Sequence, residues 1–179
     1  TLDEQVGVVA DEQQVESLAG IMGGDATAVS ESTCNIYVEA AFWWPETVQG
    51  RSRRFNFSTD AGHRFERGVD PSRTQAAIER LTALILEVCG TPETQVGPID
   101  DQSPNVPQAE PVRLRVARVA KVIGMPLEQA QCVDVLQRLE LKVESREPGV
   151  LWVTPPAYRF DIQIEEDLIE EVARLIGYN

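Results

Sequence analysis

The sequence NIYVEAAFWWPETVQGRSRRFNFSTDAGHRFERGVDP, residues 35–71, is the stretch that decides the fold of the first half of the chain. Glu39 lies in its apolar run, and this run predicts a strand over residues 35–42. Apolar residues usually bury themselves, so a carboxylate among them must be paired with a cation or serve a function. A polar segment, residues 58–64, follows and contains His63, the only histidine of the chain. The first question is therefore what Glu39 and this polar segment face.

The composition is that of a folded protein with a strong negative charge. The 179 residues include 42% hydrophobic and 25% charged side chains, enough for one large domain or two small ones. The net charge of −13 excludes general electrostatic binding of nucleic acid, so any RNA contact must be local or made by other parts of a larger protein. No apolar run is long enough for a transmembrane helix. The start at Thr1 without a methionine or signal peptide leads us to expect a piece of a longer protein.

Three cysteines are odd in number and widely spaced, with no metal-ligand spacing. This pattern predicts buried free thiols in a reducing cytosol, and hence a cytoplasmic protein.

Hydrophobic periodicity predicts both strands and helices in the first half of the chain. Strands are predicted at residues 6–10, 15–22 and 35–42, and helices at residues 45–54 and 72–88. Pro45 suits the first turn of the earlier helix, and Gly90 ends the later one. The later helix has one apolar face, which consists of Ala77, Leu81, Leu84, Ile85 and Val88.

A linker rich in proline separates the second half, where the periodicity starts again. Strands are predicted at residues 111–116, 141–143 and 150–154, and helices at residues 116–123, 127–139 and 161–176. The order of strand, two helices, hairpin and helix suits a small α+β domain of winged-helix type.

Three glycines in residues 20–24, GIMGG, leave two interpretations open. They either permit a tight bend between strands or form a pocket wall where a ligand lies against the backbone. The GxGxxG and GxxxxGK spacings are absent, so the segment is not a phosphate-binding loop.

The residues alone also leave the role of Glu39 open, because it could pair with Arg51 or Arg54 instead of facing a ligand. His63 has the chemistry of a general base, but its arginine-rich surroundings favour a structural hydrogen bond. We expect Arg64 and Arg67 to form scaffold ion pairs with Glu66, Asp60 or Asp70.

The last predicted helix is strongly acidic at its start. Asp167, Glu170 and Glu171 stand at i, i+3 and i+4 and share one face, and Asp161 could fold toward them. Their oxygens suit a hard cation such as magnesium. The alternative is a solvated acidic helix start that the helix dipole favours.

Five motifs resemble the β subunit family of bacterial phenylalanyl-tRNA synthetase. They are GIMGG at residues 20–24, VEAAF at 38–42, GRSRR at 50–54, TDAGHRFERGVDP at 59–71, and RFDI at 159–162 with EEDLIEEVAR at 165–174 and Gly177-Tyr178. The resemblance implies the C-terminal part of a tRNA-editing module, a partial α/β sheet domain, at residues 1–98, a linker at 99–109 and a small winged-helix-like α+β domain at 110–179. The fold class expected for the whole chain is α+β. Family members often have serine at the position of Gly62 and a small or polar residue at that of Trp44.

The family's editing reaction hydrolyses tyrosine that has been wrongly esterified to the phenylalanine tRNA. The resemblance implies that Glu39 accepts a hydrogen bond from the phenol of tyrosine, and that Thr59 and Ala61 border the ester and its water. Ala19, Gly20 and Gly23 would form the pocket wall beside the ring.

The resemblance further implies magnesium bound by Asp161, Asp167, Glu170 and Glu171 and shared with a catalytic α subunit. The intact α2β2 enzyme would use ATP, which this chain itself would not bind, to attach phenylalanine to tRNA-Phe, as a class II ligase without a membrane partner. The alternative is a non-catalytic scaffold module that binds nucleic acid or protein.

Overall fold

The computed structural model describes residues 1–177. Tyr178 and Asn179, which end the last motif and the predicted second domain, lie outside the described residues. The chain divides into two compact units, Thr1–Val106 and Pro107–Asn179. Each described unit combines helices with a three-stranded antiparallel sheet, so the predicted α+β class is confirmed.

The first unit has a small sheet with strand order β1-β2-β3, short helices and long irregular segments. Its strands are β1 (Val8–Ala10), β2 (Val15–Leu18) and β3 (Met22–Gly23). Its helices are α1 (Pro45–Val48), α2 (Arg51–Arg54), α3 (Asp60–Phe65) and α4 (Thr74–Cys89), with a 3-10 turn at Pro71–Arg73 before α4.

Three predicted elements of this unit differ in the structure. The predicted strand at residues 35–42 is wrong, because this run is irregular and pairs with no described strand. The helix predicted at residues 45–54 is divided at Gly50, whose φ of 75° is left-handed. The strand predicted at residues 15–22 is interrupted by a turn at Gly20, whose φ is 66°.

The apolar face predicted for α4 is mostly uncovered. Leu81 is 42% exposed, Leu84 38% and Val88 79%, and Ala77 is exposed as well, whereas Ile85 is half-buried. Periodicity identifies the side chains that share a face, but it does not say what covers them. The shared face of α4 is therefore largely exposed in the described part of the chain.

The second unit follows the predicted order of strand, two helices, hairpin and helix. Its elements are β4 (Val112–Arg115), α5 (Val116–Ile123), α6 (Gln129–Arg138), β5 (Lys142–Glu147), β6 (Val150–Thr154) and α7 (Glu165–Ile176). β6 is the central strand. Leu114 of β4 lies opposite Leu151 of β6, and Val143 of β5 lies opposite Val153 of β6. The last helix starts at Glu165 and not at Asp161, because the Asp167 carboxylate accepts hydrogen bonds from the free backbone N–H groups of Gln163 and Ile164.

One apolar core lies between this sheet and its helices. Its buried members are Leu114, Val116, Val119, Cys132, Val135, Leu136, Leu141, Leu151, Val153, Ile162, Leu168, Ile169 and Val172. Each large aliphatic side chain contributes about 1.5–3 kcal/mol on burial.

The cysteines differ from the prediction in their burial. All are free, but only Cys132 is buried, and burial raises the pKa of its thiol. Cys34 and Cys89 are exposed. Among the described residues, no helix has both the length and the apolar character needed to cross a membrane.

An ion-pair network joins the start of α7 to the end of β4 and the first turn of α5. Glu165 Oε1 accepts a hydrogen bond from the Arg115 backbone N–H at 2.8 Å, and Arg115 Nη2 lies 2.6 Å from Glu165 Oε2. Arg118 Nε lies 3.1 Å from the same oxygen. The Arg115 side-chain hydrogen bond is the main reason that the pKa of Glu165 is lowered, although burial opposes it.

We predict that Glu165→Gln lowers the free energy of unfolding of the second unit by ~1–2 kcal/mol at neutral pH. The folded pKa of Glu165 lies below its ordinary value of 4.5, so its stabilisation is present above pH 4.5 and is lost as the pH falls through the folded pKa. The difference between variant and wild type should therefore shrink in acid. Urea unfolding followed by the NMR signals of Leu114 and Leu151 measures it.

Glu166→Gln is the matched control, because Glu166 also pairs with Arg118 but its side chain is 53% exposed. Its effect should stay within about 0.5 kcal/mol. Equal losses for the two variants, or a difference that does not depend on pH, would contradict the assignment.

Candidate functional site

A cavity of about 590 Å³ in the first unit brings several of the predicted site residues together. Gly20, Gly23, Glu39 and Ala61 all line it. The walls come from the turn between β2 and β3, the irregular run at residues 39–43, α3 and the start of α4. Four separate segments thus converge on one concave surface of a size typical for small-molecule sites.

Glu39 presents an unpaired carboxylate to this cavity. Its alternative partners are engaged elsewhere, because Arg51 donates to the carbonyls of Gln5 and Gln49 and Arg54 pairs with Asp3 at 2.6 Å. Within the described residues, Glu39 has neither an ion pair nor a hydrogen bond. The alternative that Glu39 is a structural partner of Arg51 or Arg54 is therefore wrong, and its oxygens remain free to accept a hydrogen bond.

The glycines of residues 20–24 serve both of the roles that the sequence left open. A Cβ on Gly20 would lie 3.0 Å from the Trp43 ring and 3.1 Å from the Phe65 ring, in addition to the strain of its positive φ. A Cβ on Gly24 would lie 2.6 Å from the Glu16 carbonyl oxygen. A Cβ on Gly23 would meet nothing within 4 Å, so this glycine faces open space at the cavity.

Thr59 and Ala19 support the cavity but do not line it. Thr59 is the N-cap of α3, where its Oγ1 accepts from the Gly62 N–H at 3.0 Å and donates to the Ile21 carbonyl at 2.8 Å. These two bonds hold Ala61 against the turn that carries Gly20. Ala19 is only 4% exposed and lies behind that turn.

His63, Arg64 and Arg67 form the structural contacts that the sequence predicted for them. His63 Nδ1 lies 3.0 Å from Arg67 Nη1, and Arg67 pairs with Glu66 at 2.6 Å. Arg64 pairs with Asp60 at 3.6 Å. His63 does not line the cavity, so it is not placed to act as its general base.

The two positions that depart from the family pattern have local explanations. Gly62 is buried, and a Cβ there would contact the Ser52 hydroxyl and lie 3.1 Å from Thr59 Oγ1. Trp44 packs edge-on against Phe42 with ring centroids 5.4 Å apart. It lines a separate cavity of about 760 Å³ that contains none of the predicted editing residues.

The side chains of the Glu39 cavity that the sequence did not predict include Trp43, Phe65, Asp70 and Arg73. Phe65 follows Ala61 by one helical turn, so the shared face of α3 was a signal that could have found it. The other three gave no such signal, because only the irregular backbone at residues 39–43 and the turn before α4 bring them to the cavity.

The four carboxylates predicted to bind magnesium do not form a metal site in the second unit. Asp161 and Glu171 both pair with Arg159, and Asp167 accepts two backbone N–H groups. Glu170 lines a separate cleft of about 520 Å³ beside Val122 and Met125. No group of three or more His, Cys, Asp or Glu side chains within residues 1–177 could hold a metal ion. The arrangement described here therefore does not fit magnesium, which needs an octahedron of oxygen ligands.

We predict that Thr59→Val destabilises the first unit by about 1–2 kcal/mol, because it removes both hydrogen bonds of the hydroxyl. Thr59→Ser keeps the hydroxyl and should cost no more than about 0.5 kcal/mol. Urea unfolding followed by the NMR signals of α3 distinguishes the two. A valine variant as stable as the serine variant would show that the hydroxyl does not hold α3 in place.

Comparison with known proteins identifies the family to which the chain belongs. A model of the B3/4 domain matches residues 1–90, and a model of the tRNA synthetase B5 domain matches residues 112–178. The phenylalanine–tRNA ligase beta subunit of Cupriavidus pinatubonensis is 61% identical over 99% of this chain, and that of Ralstonia nicotianae is 62% identical over 99%. The chain spans 22% of the length of each. The chain therefore belongs to the phenylalanine–tRNA ligase beta subunit family and contains a region that matches its B3/4 and B5 domains.

Proposed function

We propose that the first unit carries the pocket that hydrolyses tyrosine wrongly esterified to tRNA-Phe. One observation carries this proposal: Glu39, whose carboxylate is unpaired, lines a cavity that is also lined by Gly23 and by the small side chain of Ala61. The rings of Trp43 and Phe65 make part of the same surface apolar. An apolar cavity with one exposed acceptor suits a phenol.

The proposed discrimination rests on a single hydroxyl group. Tyrosine exceeds phenylalanine by that hydroxyl, and an apolar synthetic pocket rejects such an addition only about 100-fold. A second site that accepts a hydrogen bond from the hydroxyl selects tyrosine, because phenylalanine would leave the acceptor without its partner. Glu39 supplies a charged acceptor, which forms a stronger hydrogen bond than a neutral one.

The chemical step proposed for this pocket is attack of a positioned water on the ester carbonyl. The ester C–O bond breaks, tyrosine leaves as the free acid, and the ribose of the tRNA recovers its hydroxyl. The Thr59 hydroxyl already donates to Ile21 and accepts from Gly62, so it is not available as a nucleophile. The proposal therefore assigns Thr59 to positioning and attributes the rate to the orientation of ester and water.

At the level of the intact enzyme, we propose ATP-dependent attachment of phenylalanine to tRNA-Phe. The partners would be a catalytic α subunit of class II type, in an α2β2 assembly, and tRNA-Phe in the cytoplasm. The names of the relatives, phenylalanine–tRNA ligase beta subunits, support a ligase with a second kind of subunit. Magnesium shared with that subunit stays a prediction for the assembly, and no step proposed here uses it.

A scaffold role is the second candidate, and the exposed apolar face of α4 favours it. Leu81, Leu84 and Val88 lie on one side of this helix and are 42%, 38% and 79% exposed. Contiguous exposed apolar surface is typical of protein interfaces. A scaffold without an editing pocket would not hydrolyse tyrosyl-tRNA-Phe in any assembly.

We predict that Glu39→Ala in the full enzyme lowers the rate of tyrosyl-tRNA-Phe deacylation at least about tenfold, because the phenol loses its acceptor. Glu39→Gln keeps a carbonyl acceptor and should retain more activity. Purified tyrosyl-tRNA-Phe and phenylalanyl-tRNA-Phe, compared under single-turnover conditions, provide the measurement. Glu46→Gln is the control, since Glu46 is also exposed but does not line the cavity. An alanine variant that clears tyrosyl-tRNA-Phe normally would refute the role of Glu39.

We also predict that Gly23→Leu blocks editing without unfolding the first unit, because its side chain would enter open space in the cavity. Aminoacylation with phenylalanine should stay unchanged. Gly97→Leu is the matched control, since a Cβ at Gly97 also meets nothing within 4 Å and the residue lies outside the cavity. Loss of deacylation in both variants, or in neither, would count against this pocket.

A further inference from the structure

The guanidinium of Arg159 occupies the space between two of the carboxylates expected to bind a metal. Its Nε lies 2.9 Å from Asp161 Oδ1, and its Nη2 lies 2.7 Å from Asp161 Oδ2. The same Nη2 lies 2.9 Å from Glu171 Oε1. The side chain of Arg159 is 19% exposed and that of Glu171 is 10% exposed, so the contact between them is largely shielded from water, whereas the Asp161 side chain is 64% exposed.

Both carboxylate oxygens of Glu171 are engaged by arginines. Its Oε1 is held by Arg159, and its Oε2 pairs with Arg174 from the same helix. Burial opposes ionisation of this carboxyl, but the hydrogen bonds from Arg159 and Arg174 outweigh it and lower the pKa. Both oxygens of Asp161 face Arg159 in the same way, and the hydrogen bond from Arg159 lowers the pKa of Asp161.

Asp167 and Glu170 do not supply the metal ligands that Asp161 and Glu171 lack. Asp167 Oδ2 accepts from the backbone N–H groups of Gln163 and Ile164 at 2.8 and 2.9 Å, which begins α7. Glu170 is exposed on the cleft that contains Val122 and Met125. A magnesium ion would therefore have to displace a guanidinium from two carboxylates and gain too few oxygens in return.

We propose that Arg159 is the resident counter-ion of Asp161 and Glu171 and excludes a divalent cation from them. The carboxylates of Asp161 and Glu171 then form structural ion pairs in this chain. Arg159 is the positioning residue that holds residues 159–161 against α7. Metal binding by these carboxylates requires that Arg159 first be drawn away. This inference is independent of the editing pocket, which lies in the other unit.

Manganese titration of the chain, followed by the electron paramagnetic resonance signal of the free ion, tests the proposal. Wild type and Arg159→Lys, which keeps the positive charge, should bind no manganese at this cluster at about 1 mM metal. Arg159→Gln removes the charge and should raise the affinity at least about tenfold. The double variant Arg159→Gln/Asp161→Asn should lose that gain, which separates the cluster from other acidic surface.

Two results would overturn the proposal. One is manganese binding by the wild type that disappears in Asp161→Asn. The other is a folded Arg159→Gln variant, verified by circular dichroism, with no gain in affinity.

An NMR measurement on the wild type keeps the test valid if Arg159→Gln does not fold. The Nε–Hε signal of Arg159 reports its bond to Asp161 directly and should not move when magnesium is added to about 5 mM. A saturable shift of this signal, absent from the matching signal of Arg115, would show that the metal competes for Asp161 and would overturn the proposal. Arg115 is the suitable reference because its Nε also donates to a carboxylate, that of Glu165, which is not one of the four expected metal ligands.

Discussion

The hydroxyl of Thr59 connects two parts of the first unit that are 38 residues apart in sequence, through its bond to the Ile21 carbonyl. Because the same oxygen caps α3, one side chain fixes both the direction of that helix and its distance from the glycine turn. The cavity lies between these two elements, and Gly20, Gly23 and Ala61 reach it only in that arrangement. The short strands β1 to β3 contain too few residues to impose such precision alone.

Arginine organises much of this acidic protein through internal pairs. The chain has 16 basic and 29 acidic side chains, and several of the arginines hold one segment to another. Arg54 joins α2 to Asp3, Arg115 and Arg118 join β4 and α5 to α7, and Arg159 joins the segment before α7 to that helix. Glu39 stands out against this background because Arg51 and Arg54, its two expected partners, bind other groups.

The sequence predicted the second unit better than the first, for a physical reason. In the second unit, each element buries an apolar face in one core, so periodicity and chain order suffice, and α5 has the predicted bounds. In the first unit, the apolar run at residues 35–42 pairs with no described strand, and Leu81 and Val88 are exposed. Periodicity therefore does not predict the structure of these segments.

The resemblance of the motifs to a known family still identified Glu39, Gly20, Gly23 and Ala61 as neighbours. It did not identify Arg73 or Asp70, because the turn before α4 brings these two residues to the cavity. The ion pairs of Arg159 with Asp161 and Glu171 could not be inferred from spacing along a helix, because Arg159 and Asp161 lie before α7 begins.

The unequal burial of the cysteines has a practical consequence for following this protein in solution. The raised pKa of Cys132 keeps its thiol protonated and shielded in the core, whereas Cys34 and Cys89 are exposed. Thiol-directed fluorophores will therefore attach to the first unit and leave the second unmarked. A probe at Cys89 lies at the end of α4, beside the uncovered Val88. Its emission would report when another protein surface covers that helix, independently of any catalytic assay.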